Sequence, residues 1–285
     1  NRALATVTFL AGRLGRPLLL EGEPGVGKTE IAKALAAATG RALIRLQCYE
    51  GLDQSAALYD WAYAKQMLAI RLAEASGQDM QQVADRLYGP DYLVKRPLLQ
   101  ALEPDQNGLP AVLLIDELDR ADVAFEAFLL ELLSDYQVSI PEMGSIKAAK
   151  PPLVIVTSNR TREIHDALKR RCLYHWLDYP SPELERQSIA ARLPGIDAQL
   201  SAELVGFVHK LREQALFKPP GVAETLDWAQ ALIQLDAFAL EPAQLEATLG
   251  VLWKYQDDIA AIQGSEAQRL LDEVKADLAH TDNRW

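Results

Sequence analysis

Gly22-Glu23-Pro24-Gly25-Val26-Gly27-Lys28-Thr29 satisfies G-x-x-x-x-G-K-[ST] at every fixed position. The residue types dictate one chemistry, the gripping of phosphate. Glycines let the backbone curl until successive N–H groups point inward at phosphate oxygens. A helix starting near Gly27 turns its positive end to the same anion. Lys28 then reaches toward the β- and γ-phosphates, and the Thr29 hydroxyl becomes a ligand for Mg²⁺. A second set of groups follows at Val112-Leu113-Leu114-Ile115-Asp116-Glu117, an apolar run ending in two acids. Asp116 is suited to hold Mg²⁺ through its water shell. Glu117 is suited to polarise a water for in-line attack on the γ-phosphate. Asp119 and Asp122 read as helix-start residues.

Two further polar groups have two readings each. In Thr157-Ser158-Asn159, Asn159 is either a turn-former or a hydrogen-bond partner of the attacking water and γ-phosphate. Arg170 and Arg171 are either cations closing a helix C-terminus or charges donated to a neighbouring subunit's nucleotide.

These groups need a scaffold, and the hydropathy pattern describes one. Short apolar runs at 18–20, 43–46, 111–115, 153–156 and 173–177 read as strands. The run at 111–115 is unbroken, as expected of a strand covered on both faces. Helical patterns separate them, notably 28–39, which Gly40 stops, and 123–133. Residues 55–102 read as mostly helical, broken at Gly77 and Gly89-Pro90. Alternating strands and helices predict an α/β fold with a parallel five-stranded sheet. Past Pro180-Ser181-Pro182 the strand pattern stops, and 183–193, 201–216, 222–236, 242–253 and 265–279 read as helices. The expected division is an α/β domain over 1–180 and an all-helical domain over 181–285.

Composition sets the outer limits. With 285 residues, 49% hydrophobic and 24% charged, the chain has the means for one large or two modest cores. Its 29 Lys and Arg stand against 40 Asp and Glu, a net charge of −11, which disfavours phosphate backbones as partners. No apolar stretch is long enough to span a membrane. Cys48 and Cys172 are the only cysteines and read as reduced thiols. His165, His175, His209 and His280 lie without ligand spacing. Trp61, Trp176, Trp228 and Trp253 read as packing anchors. The opening residues lack the pattern of a secretory signal, so a cytoplasmic location is the expectation.

GEPGVGKTE, LLIDELDRAD, VTSNR and ALKRRCLYHWLDYPSPE occur in this order. Over essentially the whole chain they resemble the AAA+ ATPases, and the MoxR branch in particular. The last string, with LYDWAYAKQ around Trp61 and PPGVAETLDW, is most similar to CoxD-type members, which are associated with maturation of carbon monoxide dehydrogenase and related molybdenum hydroxylases. The resemblance implies a P-loop NTPase core with a helical lid, ATP bound with Mg²⁺ between them, and hydrolysis. It makes Gly22–Thr29 the Walker A loop, Asp116 and Glu117 Walker B, and Asn159 sensor 1. It places Arg170 and Arg171 at the arginine-finger position, with Arg171, directly before Cys172, preferred. It further implies a hexameric ring, a von Willebrand A-type partner protein and a metalloenzyme client; from the composition, no membrane is expected and nucleic acid is disfavoured as a partner. Residues 56–102 match the helix 2 insert and 137–147 the hairpin before sensor 1; both are expected to face the pore or a client. One departure is plain: Gly221-Val222-Ala223-Glu224-Thr225 contains no match to the sensor 2 arginine. Three rival expectations remain: a nucleotide-gated scaffold with little turnover, a nucleic-acid motor of a neighbouring AAA+ class, and a small-molecule P-loop kinase.

Overall fold

The computed structural model describes residues 2–105 and 107–282. Its elements run α1 (Arg2–Leu14), β1 (Leu18–Gly22), α2 (Lys28–Thr39), β2 (Leu43–Gln47), α3 (Gln54–Ala57), β3 (Tyr59–Trp61), α4 (Tyr63–Ser76), α5 (Met80–Leu87), β4 (Leu93–Lys95), α6 (Pro97–Leu102) and β5 (Val112–Asp116). Then come α7 (Val123–Asp135), β6 (Gln137–Ile140), β7 (Gly144–Lys147), β8 (Leu153–Ser158), α8 (Asp166–Lys169) and β9 (Leu173–Leu177). After Leu177 the described residues are helical only: α9 (Pro182–Arg192), α10 (Ala198–Arg212), α11 (Val222–Gln234), α12 (Pro242–Leu252), α13 (Gln256–Ile262) and α14 (Ser265–Asp282).

The chain divides into two compact units. One comprises residues up to Gly22 together with Lys28–Leu177; the other comprises Glu23–Gly27 together with Asp178 onward. A single cut near 180 therefore misses one detail, the loop tip at 23–27. The reason is local: the Val222 N–H donates to the Gly25 carbonyl at 3.0 Å, which ties the tip to the start of α11.

In the first unit five parallel strands form a sheet in the order β2-β5-β8-β1-β9. The central strands β1, β5 and β8 are buried at every residue, because helices cover both faces. Their side chains alternate between two cores. Leu113, Ile115, Val154 and Val156 face one, with α6 and α7; Val112, Leu114, Leu18 and Leu20 face the other, with Ala11 of α1 and Ala32 of α2. The edge strand β2 is half exposed, with Leu46 its one buried residue. Register aligns the strand ends, Gln47 opposite Asp116 and Glu21 opposite Ser158. Polar residues following apolar runs thus collect along the carboxyl edge of the sheet, where open α/β sheets bind ligands.

Several elements depart from the sequence reading. Helix α1 precedes the first strand and packs Ala11 into the core. Residues 55–102 are mostly helical, as read, but also hold β3 and β4, a three-residue antiparallel pair too short to show a period of two. Helix α13 also lies outside the expected set. At 137–147, by contrast, β6 and β7 pair as a hairpin where the sequence reading placed one.

The helical unit packs around Trp228, Phe207 and Leu271, all fully buried. The Trp228 indole donates to Thr248 Oγ1 at 2.7 Å, so its one polar atom is satisfied in the core. Trp61 and Trp253 are likewise buried, whereas Trp176 is half-buried and lies under the Arg160 guanidinium, 5.8 Å from its centre. Among the described residues, no helix is long and apolar enough to cross a membrane.

Candidate nucleotide site

The phosphate loop begins where β1 ends. At Gly22 a Cβ would come within 2.3 Å of the Leu177 carbonyl of β9, so only glycine fits between the two strands. Gly25 adopts φ +76°, the left-handed region that favours glycine, and its carbonyl turns toward α11. Glu23, Pro24, Val26 and Gly27 complete the curl. Lys28 opens α2, is buried, and donates from Nζ to the Gly22 carbonyl at 2.7 Å. The lysine thus closes the base of the loop.

Thr29, in the first turn of α2, brings its Oγ1 to 3.1 Å from Asp116 Oδ1. Asp116 ends β5 and is 3% exposed. A carboxylate this deep needs compensating partners, and it has three. Thr157 Oγ1 donates to Oδ1 at 2.6 Å, Thr29 shares the same oxygen, and Arg45 reaches Oδ2 from Nε at 3.0 Å and Nη2 at 2.6 Å. The pairing of a hydroxyl with a carboxylate is a hard-oxygen donor set, which suits Mg²⁺. No cluster of three or more His, Cys, Asp or Glu able to hold a metal occurs among the described residues. A cation at Thr29 and Asp116 would therefore complete its shell with water and phosphate oxygens, as Mg²⁺ commonly does.

Glu117 leaves the strand at φ 55° and ψ 50°. A non-glycine residue in this region costs on the order of 1–3 kcal/mol and marks positions where side-chain direction matters. The Glu117 N–H donates to Thr157 Oγ1 at 2.9 Å, and that hydroxyl in turn donates to Asp116. One threonine therefore sets the geometry of both acids. The Glu117 carboxylate accepts from Gln47 Nε2 at 3.0 Å and pairs with Arg120 Nε at 3.1 Å. The acids also act on their surroundings. Burial first, then the charges of Asp116, Asp119 and Glu117, push the Cys48 thiol up to about 12, so it stays protonated.

Asp119 corrects the sequence reading. It does not start a helix but lies in a 3₁₀ turn at Leu118–Arg120 and is 3% exposed. Its carboxylate accepts from the Asn159 N–H at 3.2 Å, the Thr161 N–H at 2.9 Å and Thr161 Oγ1 at 2.6 Å. It fixes the turn that carries Asn159 beside the acids. Asp122 does occupy the residue before α7, but its carboxylate accepts from the Gly51 N–H rather than capping the helix.

Lys28 is bonded to Gly22, and Thr29, Asp116 and Glu117 are joined directly or through Thr157 at the same sheet edge; Asn159, just past the end of β8, is tied by its N–H to Asp119. Arg170 and Arg171 do not join them. Both are exposed at the end of α8. Their carbonyls accept from the Arg16 guanidinium at 2.7 and 3.0 Å. The Arg171 guanidinium itself donates to the Leu130 carbonyl of α7 at 3.2 Å.

Residues 17–172 match the family described as AAA domain (dynein-related subfamily). That span exceeds half of the chain, and the protein belongs to this family. An uncharacterized protein of Staphylococcus haemolyticus is 24% identical over 253 residues, covering 86% of each chain. A second from Staphylococcus epidermidis is 23% identical over 254 residues, covering 86% of this chain and 87% of its own. Among solved structures, a mutant of RuvB from Thermotoga maritima superposes with a TM-score of 0.53 at 18% identity, over 90% of this chain and 70% of that one. The fold is therefore that of an AAA+ P-loop ATPase, α/β with a helical C-terminal region.

Arg45, Gln47 and Asp119 were missed as site residues. A signal existed for the first two: in Leu43-Ile44-Arg45-Leu46-Gln47 a period of two puts 45 and 47 on one side of the strand. What strand they would face was not in the pattern.

Proposed function

We propose that this protein is an ATP-hydrolysing remodelling ATPase of the MoxR type, serving maturation of a metalloenzyme of the carbon monoxide dehydrogenase-like molybdenum hydroxylase class. The hydrogen-bonded chain Thr29–Asp116–Thr157–Glu117 carries the catalytic part of this reading, because it joins the loop that grips phosphate to an acid placed to act on water. Lys28 and the loop N–H groups bind and orient the triphosphate. Thr29 and Asp116 would hold Mg²⁺, which would supply charge neutralisation at the phosphate oxygens. Glu117 takes the proton of the attacking water once its carboxylate is released from Gln47 and Arg120, and Asn159 orients that water. An arginine from a neighbouring copy adds positive charge to the transition state, which requires head-to-tail assembly into a ring. Arg170 is the better candidate, since Arg171 is already engaged with Leu130 of its own chain.

The MoxR and CoxD assignment rests on the strings quoted above. So do the hexameric ring, the von Willebrand A-type partner and the metalloenzyme client. A net charge of −11 weighs against a nucleic-acid motor. A nucleotide-gated scaffold with low turnover keeps support from one observation, the hold of Gln47 and Arg120 on Glu117.

Phosphate release from ATP with no acceptor present tests the reading. Glu117→Gln is expected to bind ATP and lose turnover by roughly 10²-fold or more. Unchanged turnover in Glu117→Gln removes it as the base, and a wild-type chain that binds ATP without releasing phosphate leaves the scaffold. In a deletion strain of the source organism, normal cofactor content of the metalloenzyme refutes the client assignment.

A further inference from the structure

Asp116 meets a full positive charge supplied by its own chain. Arg45 projects from the edge strand β2 and places both Nε and Nη2 on Asp116 Oδ2, at 3.0 and 2.6 Å. The other carboxylate oxygen is taken by the hydroxyls of Thr157 and Thr29. The same Nη2 donates to Gln47 Oε1, and Gln47 Nε2 donates to Glu117. One guanidinium therefore neutralises the first acid directly and steadies the amide that restrains the second.

The two partners differ in burial. The Asp116 side chain is 4% exposed, while that of Arg45 is 52% exposed. The carboxylate cannot turn to water, but the guanidinium can. An ion pair with one solvated partner holds weakly. A compact dication and a guanidinium crowding the same carboxylate repel one another, so each weakens the other there.

We propose that Arg45 is an internal counter-cation that competes with Mg²⁺ for Asp116 and must swing away when the metal arrives with nucleotide. This inference rests on the metal–nucleotide reading of Thr29 and Asp116. It links metal arrival to Gln47, whose Oε1 loses its donor when Arg45 leaves.

Calorimetric titration of ADP into the full chain over a series of MgCl₂ concentrations tests the idea without hydrolysis. The readouts are the metal-free ADP affinity and the Mg²⁺ concentration that gives half of the metal-dependent gain. Arg45→Met keeps the side-chain length and removes the charge. It is expected to lower that midpoint by roughly two- to fivefold while metal-free affinity stays within about twofold. Arg45→Gln should shift it in the same direction, which separates charge from side-chain packing. A midpoint that is unchanged or higher in both variants, with wild type binding Mg·ADP normally, overturns this inference alone. A fall in metal-free affinity of tenfold or more also overturns it, because Arg45 would then be holding phosphate. A wild-type chain with no affinity for ADP at any Mg²⁺ concentration overturns both this inference and the nucleotide reading.

Discussion

Each unit of the molecule buries a carboxylate against an arginine, and the two pairs are built differently. In the helical unit Glu185 is fully buried and meets both arms of Arg212, at 2.7 and 2.9 Å, with His209 Nε2 at 3.0 Å. Arg212 is itself 7% exposed, donates from Nε to the Pro220 carbonyl, and stacks 4.3 Å from the Tyr179 ring centre. Every arm of that guanidinium is committed. In the α/β unit Asp116 is as deeply buried, but its arginine is half in solvent and binds one carboxylate oxygen. The closed pair can do nothing but hold helices α9 and α10 together. The open pair leaves its acid available to another cation. The degree to which the partner is enclosed, rather than the presence of an ion pair, separates the two.

Four outcomes would sharpen or break this contrast. The largest concerns charge offered outward by the α/β unit. Arg170→Ala should cut steady-state ATP turnover by roughly 10³-fold or more, with ATP affinity retained. Arg171→Ala should do much less; the reverse result would show that the bond to Leu130 is given up on assembly. Next, Arg212→Met should destabilise the protein by about 3–5 kcal/mol in urea unfolding, because it leaves Glu185 buried and unpaired. A loss of turnover without loss of stability would erase the distinction between the two pairs.

The third outcome is a pH effect. Burial alone would raise the Glu185 carboxyl, but hydrogen bonds from His209 and Arg212 and the charge of Arg212 outweigh it and hold the group at about 2, below its ordinary 4.5. A depressed folded value means that the stabilisation is complete above pH 4.5 and is lost as pH falls toward 2. The loss amounts to about 3 kcal/mol. Glu185→Gln should be less stable than wild type at pH 7, and the gap should close between pH 4.5 and 2. A gap independent of pH would mean that the charge of Glu185 is not what matters. Smallest of all, Arg45→Met should change stability at pH 7 by no more than about 1 kcal/mol. A cost near that of Arg212→Met would make the two pairs equivalent.

Legibility in the sequence followed the separation of the interacting residues. The phosphate loop is eight consecutive residues, so the curl, the lysine and the hydroxyl could all be read together. The acids Asp116 and Glu117 were legible because an unbroken apolar run points at them. The five sheet strands were legible because burial on both faces leaves a continuous apolar signature. Asp119 was misread because its role is to hold a turn some 40 residues later in the chain, at Asn159 and Thr161. Helix α1 and the β3–β4 pair were missed for other reasons. The first has few fully buried residues, and the second is too short to carry a period.

By itself the sequence determined that this chain carries a phosphate-loop motif, presents two acids at a strand end, and changes from α/β to helical near residue 180. Those properties depend on neighbours along the chain, whose spacing the covalent backbone sets. The tertiary structure decided which strands lie side by side, and with that the partners of each acid. Strand order places β2 against β5 and β5 against β8. Only then does Arg45 meet Asp116, 71 residues away, and Thr157 bridge Asp116 to Glu117 from 41 and 40 residues away. Such contacts arise from the packing of whole strands, and no local pattern encodes them.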